Sequence, residues 1–118
     1  MAIKDLTLIK KHLFLCNGGT CKLKGAEEST AAIRASLVEK GLENDVHTTK
    51  TLCNGRCKEG PIVISATDGL WFKQMTADVA GQFVREFIVE GNVPDEHRLF
   101  AYGESEINSL EPEAQAQN

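Results

Sequence analysis

No apolar run in this 118-residue chain approaches the roughly 20 residues of a membrane span. The stretch from Leu6 to Leu15 is interrupted by Lys10, Lys11 and His12, and no small-residue cleavage site follows it, so it does not read as an export signal. The compartment expected on those grounds is the cytoplasm. There is no P-loop and no G-x-G-x-x-G, and Gly18-Gly19 alone is too little for a phosphate cradle. His12, His47 and His97 are scattered without H-x-x-H or H-E-x-x-H spacing, and Ser29, Thr30 and Ser36 lack a nucleophile-elbow context. These absences leave no signature of substrate chemistry. A net charge of -4 favours no nucleic-acid partner. With 42% hydrophobic and 25% charged residues the composition is that of one globular domain able to bury a modest core.

Cysteine is scarce as well, but its four copies are grouped. Cys16 and Cys21 form C-x4-C within Cys-Asn-Gly-Gly-Thr-Cys; Cys53 and Cys57 form C-x3-C within Cys-Asn-Gly-Arg-Cys; 31 residues separate the pairs. In a reducing cytoplasm such pairs point to metal or redox chemistry before structural disulfides. Neither pair has the C-x2-C spacing of a dithiol exchange enzyme. Four thiolates can hold zinc tetrahedrally, and paired zinc cysteines are commonly two to four residues apart, so a zinc-stabilised structural or interaction domain stays open. Two separated pairs also suit a 2Fe-2S rhomb, one pair on each iron. Gly18, Gly19 and Gly55 keep the loops small and let backbone N–H groups approach sulfur, which tunes a cluster's potential but serves tight zinc loops equally.

Charge is unevenly spread. Residues 1–24 and 50–58 carry eight of the thirteen basic residues, few of the seventeen acidic ones and all four cysteines. Lys22, Lys24, Arg56 and Lys58 adjoin the cysteines. Cations there would favour a more negative, reduced centre and steer a partner with an acidic face. From Glu104 to Asn118 the chain is polar, acidic and rich in Glu and Gln, which predicts a disordered tail after a domain spanning 1–103.

The body alternates strand and helix signals. Residues 11–15 read as a strand running into Cys16, and 27–40 as a helix with Ile33 and Leu37 on one face and Gly41 as its stop. A Thr-rich, β-branched strand, 46–52, leads to Cys53. Pro61 opens a continuous apolar strand, 62–65, expected to be buried on both faces. Thr67-Asp68-Gly69 turns it into a second arm, 70–73. Thr76 and Asp78 start a second helix whose Val79, Phe83 and Phe87 recur at four-residue intervals as a core stripe. The order β-α-β, loop, β-β-α predicts an α/β, thioredoxin-like fold: a mixed sheet of about four strands with helices on both faces. Trp71 reads as sheet packing, or as an interface residue if its hairpin lies at a sheet edge.

Taken together, Cys16-x4-Cys21, Cys53-x3-Cys57, Gly60-Pro61 and the apolar strand after it resemble the thioredoxin-like 2Fe-2S ferredoxins, whose cysteine arrangement recurs in the small iron-sulfur subunit of respiratory NADH dehydrogenase. Asp68 to Phe72 and the helix from Thr76 to Gly91 extend the likeness over roughly residues 11 to 100. The resemblance implies a 2Fe-2S cluster with Cys16, Cys21, Cys53 and Cys57 all as ligands, one-electron transfer between redox enzymes, and a homodimer. A permanent electron-relay subunit of a larger oxidoreductase is the other role that the same pattern serves.

Overall fold

A computed structural model describes residues 4–108. Its strands are β1 (Lys11–Cys16), β2 (Val46–Thr51), β3 (Val63–Ser65), β4 (Leu70–Phe72) and β5 (Arg98–Ala101). Helix α1 (Gly19–Leu23) and helix α2 (Ala26–Glu39) lie between β1 and β2. A third helical run, 77–89, here α3, follows β4: it begins as a 3-10 turn, Ala77–Val79, passes through an α-helical turn, Ala80–Phe83, and ends π-helical, Val84–Val89.

The five strands make one mixed sheet in the order β2-β1-β3-β4-β5. Only β1 and β2 run parallel, which is why a helical crossover joins them; the remaining neighbours are antiparallel. The two helices in that crossover are separated by Gly25 in the left-handed region (φ 97°), and Gly41 (φ 71°) follows the end of α2.

Strand alternation divides the apolar residues between two faces. Leu13, Leu15, Val63 and Phe72 meet Ile33 and Leu37 of α2 and Ala80, Phe83, Val84 and Phe87 of α3 in one core. Phe72 sits edge-on to both Phe83 and Phe87, with ring centroids 5.0 Å away in each case. Such pairs add about 0.5–1.5 kcal/mol each beyond their burial. The expected core stripe on α3 is therefore present, with Val79 packed at its margin. The other face carries Phe14, Ile64, Trp71 and Phe100, which are direct cross-strand neighbours in one row. So the long helices α2 and α3 lie side by side on one face, and the row on the opposite face is left half-buried, except for Ile64, which is buried.

Three further features differ from the sequence reading. The sheet has five strands because Arg98 to Ala101, too short and too close to Pro94 to announce itself, pairs with β4 and buries Leu99 completely. That pairing also moves the Trp71 hairpin off the sheet edge. Residues 104–108, at the start of the expected tail, hold to β5: Glu104 pairs with Arg98, the Asn108 N–H donates to the Leu99 carbonyl at 2.8 Å, and its side chain donates to the Arg98 carbonyl at 2.9 Å. The rest of that tail, 109–118, lies outside the described residues. Finally, His12 and His47 are opposite one another across β1 and β2, with ring centroids 4.8 Å apart. Burial, and then the neighbouring His47, push the His12 imidazole below its ordinary pKa, while its Nε2 lies 2.8 Å from the Thr49 hydroxyl.

The β3–β4 turn is tied back to β1. Lys11 Nζ donates to Asp68 Oδ2 at 2.7 Å and lies 4.8 Å from the Phe87 ring centroid; the Ser65 hydroxyl reaches the same carboxylate oxygen at 2.7 Å. Burial alone would raise the Asp68 pKa, but the hydrogen bonds from Lys11 and Ser65 and the Lys11 charge outweigh it and hold it below the ordinary carboxylate value. A depressed carboxyl stabilises the fold above its unfolded pKa and loses that contribution as pH falls through its folded one. Asp68→Asn is therefore expected to lose about 1 kcal/mol at pH 7, with the gap to wild type closing as pH drops below about 4. Urea midpoints at pH 7 and pH 3 measure both values.

Candidate metal centre

Because β1 and β2 are parallel, their C-terminal ends leave the sheet together. Cys16 ends β1 opposite Thr51, the last residue of β2, so Cys53 follows two residues beyond its neighbour's end. The Asn17 N–H donates to the Thr51 carbonyl at 2.8 Å and the Cys16 N–H to the Ile62 carbonyl at 3.0 Å, which fixes Cys16 between the end of β2 and the entry to β3. Helix α1 then turns the chain back and returns Cys21 beneath the surface. Cys16 and Cys21 are buried at 3% and 1% exposure, whereas Cys53 is exposed.

The two loops touch at Gly18. A Cβ there would lie 2.7 Å from the Cys53 nitrogen and 2.8 Å from its Cα. No side chain fits such a gap, so glycine is required for this approach. Across it, the Cys16 thiol donates to the Leu52 carbonyl at 3.4 Å, and the Gly55 N–H donates to Cys53 Sγ at 3.3 Å. Burial would raise the Cys16 pKa; hydrogen bonds from the Gly18 backbone, the Cys21 thiol and the side chain and backbone of Asn54 outweigh it and lower the pKa. Those contacts place Cys21 and Asn54 at the Cys16 sulfur, so residues from both loops converge there. They also favour the thiolate, the form that binds metal.

Cys57 opens a 3-10 turn, Cys57–Glu59, that anchors the second loop. Glu59 is fully buried and takes a bidentate pair from Arg56, Nε to Oε1 and Nη2 to Oε2, each at 2.8 Å. The Gln74 N–H donates to the Glu59 carbonyl at 2.8 Å, and the cis Gly60–Pro61 peptide leads directly into β3. Lys24 Nζ donates to the Lys58 carbonyl at 2.9 Å, joining the end of α1 to the same turn.

With two cysteine loops held together at one end of a mixed α/β sheet, the chain is similar in sequence and in fold to known iron-sulfur proteins. A protein of Priestia megaterium named a 2Fe-2S ferredoxin is 42% identical over 107 residues, covering 91% of this chain and 84% of its own length. A 2Fe-2S ferredoxin of Clostridium pasteurianum is 33% identical over 92 residues, covering 71% of this chain and 90% of its own. Among solved structures, the thioredoxin-like 2Fe-2S ferredoxin of Aquifex aeolicus superposes with a TM-score of 0.76 at 22% identity, over 81% of this chain and 96% of its own. No family model matches. The chain belongs to the thioredoxin-like 2Fe-2S ferredoxins.

The ferredoxin's own residues fit such a cofactor. Soft thiols, backbone N–H groups aimed at sulfur and a glycine-sized gap between the loops meet at one end of the sheet. Of the expected tuning cations, Lys22, Lys24 and Lys58 are exposed beside the cysteines, with Lys22 Nζ 3.8 Å from Glu27 Oε2. Arg56 differs, since its guanidinium is bound to the buried Glu59 carboxylate. Sequence reasoning passed over Asn54 and Asn17. Asn54 Nδ2 donates to Thr51 Oγ1 at 2.8 Å and to the Leu52 carbonyl at 3.2 Å, and Asn17 Nδ2 to the Leu15 carbonyl and Thr30 Oγ1, both at 3.1 Å. The signal was visible: both pairs open with Cys-Asn-Gly.

Gly18→Ala is expected to push the two loops apart. Its cost should be about 1–3 kcal/mol, as for other overpacked sites, whereas Gly19→Ala, with open space around its Cβ, should cost little. Chemical denaturation of both variants and the iron retained by each measure the difference.

Proposed function

We propose that Cys16, Cys21, Cys53 and Cys57 hold the cluster of this ferredoxin, and that the chain is a free-standing cytoplasmic carrier of single electrons with no substrate chemistry of its own. Family membership supports the cofactor, and the observation that carries the ligand set is the closure of the two loops at Gly18, with Cys21 and Asn54 both at the Cys16 sulfur. Cys57 joins the set from its place four residues after Cys53. When bound, the cluster supplies a one-electron couple, and reduction adds one negative charge to the site. The chain's part is to hold four deprotonated sulfurs and to meet that charge. Gly18, Gly55 and Asn54 do so with N–H groups at Cys16 and Cys53. Lys22, Lys24 and Lys58 do so with exposed cations, which also steer redox partners bearing acidic faces. The Arg56 charge contributes less to tuning because Glu59 offsets it at 2.8 Å.

Protein purified without air should be red-brown, with two irons and two sulfides per chain, and should give a one-electron paramagnetic signal after dithionite. Cys57→Ser should lower the iron bound and alter that signal. A colourless protein holding zinc would overturn the assignment in favour of a structural domain.

We also propose a homodimer. The half-buried row Phe14, Trp71 and Phe100, with buried Ile64, supports it, because two such sheet faces can cover one another. Beside the row is a cavity of about 660 Å³ whose lining joins Trp71, Phe100 and Ile107 with the polar Asn54, Arg56 and Glu104, and the buried Trp71 Nε1 has no partner among the described residues. Sedimentation of the wild type should give twice the chain mass, and Phe14→Glu should give a monomer that keeps its colour. A wild type that is monomeric at micromolar concentration would remove the dimer.

A further inference from the structure

Asn17-Gly18 and Asn54-Gly55 are the only Asn-Gly pairs in the chain, and each directly follows a cysteine. Such a pair can react with itself, because no glycine Cβ hinders attack of the backbone nitrogen on the Asn side-chain carbonyl. The fold gives the two pairs opposite surroundings. Asn17 is 6% exposed, its amide donates to the Leu15 carbonyl and to Thr30 of α2, and its N–H donates to the Thr51 carbonyl of β2. Gly18 is pressed against the Cys53 backbone. Three elements of the core therefore hold the first pair in its shape.

The second pair is held differently. Asn54 is half-buried, and Gly55 is exposed, left-handed (φ 87°) and has open space where a Cβ would stand. The Asn54 amide is bound to Thr51 and Leu52 of its own loop and to the Cys16 sulfur. The Gly55 N–H, on the nitrogen that would attack, donates to Cys53 Sγ at 3.3 Å. Both groups that must meet are thus tied to cysteine sulfurs. A hydrogen bond to an anionic, metal-bound sulfur is stronger than one to a neutral thiol, so a bound cluster restrains this pair and loss of the cluster loosens it.

We propose that Asn54 is a modification site that marks loss of the cluster: in the cluster-free chain it converts to aspartate and isoaspartate, and the converted loop reloads poorly. This rests on Cys16 and Cys53 being ligands. The Gly55 nitrogen bonds to Asn54 Cγ and gives up its proton while the Cγ–Nδ2 bond breaks and ammonia leaves. Water then opens the cyclic imide at either carbonyl and leaves a carboxylate where the amide stood. Nothing is oxidised or reduced. The product lacks the donor at the Cys16 sulfur and carries a negative charge in its place, so it disfavours an anionic cluster and lowers the potential of any cluster it still holds. Isoaspartate also lengthens the backbone next to Cys53.

The test divides wild-type protein, purified without air, into a loaded half and a half stripped by an iron chelator. Both are kept warm at neutral pH, sampled over days and digested, and mass spectrometry follows the two Asn-Gly peptides. In the stripped half the Asn54 peptide should gain the mass of amide-to-acid exchange about tenfold faster than the Asn17 peptide, as for a loop that opens locally beside one that does not. Isoaspartate should be among the products. In the loaded half the Asn54 peptide should convert much more slowly. Given iron and sulfide, aged stripped protein should recover less colour than freshly stripped protein, in step with the fraction converted. Asn54→Asp, which carries the product from the start, should bind less iron and hold it at a lower potential. No conversion at Asn54, equal conversion at Asn17, or an equal rate with the cluster bound would overturn the proposal. Aspartate without isoaspartate would exclude attack by Gly55, and full reloading of the converted chain would remove the consequence; either overturns it too. A wild type that holds no iron would instead overturn the reading of the ligands, and its spectrum shows this before incubation begins.

Discussion

The contact between Gly18 and the backbone of Cys53 is the constraint on which this protein's arrangement turns. The first cysteine loop can fold over the second only where no Cβ intervenes. Parallel pairing of β1 with β2 brings the loops to the same end of the sheet, but it leaves them side by side. The close approach at Gly18 turns proximity into convergence, so that Asn54 of one loop reaches the sulfur of Cys16 in the other. Helix α1 has a related role, since it is what carries Cys21 back under the surface after Gly18.

Around that convergence, charge is divided by depth. Glu59 is buried, and its bidentate pair with Arg56 braces the turn on which Cys57 sits; a buried carboxylate needs such a partner. The lysines are exposed, where water and salt weaken them as structural elements but leave them able to act on approaching molecules. One basic cluster in the sequence thus serves two ends. Arg56 is bound to a buried carboxylate, whereas Lys22, Lys24 and Lys58 are exposed, Lys24 while also tying α1 to the Lys58 carbonyl. The thiols divide in the same way, with Cys16 and Cys21 inside and Cys53 at the surface, so the site has an insulated side and an accessible one.

Much of the frame could be read from neighbouring residues. Helix α2 follows from Ile33, Leu37 and Gly41; the central strand β3 from its unbroken apolar run; the core side of α3 from Phe83 and Phe87. These are local patterns, in which the period of the side chains is itself the signal. The misses are of another kind. Strand β5 is four residues long and exists through its pairing with β4. The His12–His47 contact needs the register of two strands that are 35 positions apart in sequence, read directly from the residue numbers. The placement of α2 and α3 together on one face depends on which alternate residues of all the central strands are largest, a comparison that no single segment contains.

The sequence by itself determined the chemistry available: four thiols in two pairs, small glycine-containing loops, basic neighbours, and an α/β succession that makes the first two strands parallel. These rest on residue identity and short spacing, and they survive any change in packing. Tertiary structure alone decided how that chemistry is presented. It buried two thiols and exposed a third, and it bound Arg56 to the buried Glu59 while keeping Lys22, Lys24 and Lys58 at the surface. The reason is that burial and pairing are properties of contacts between distant segments, settled only when register, helix placement and core packing are satisfied together.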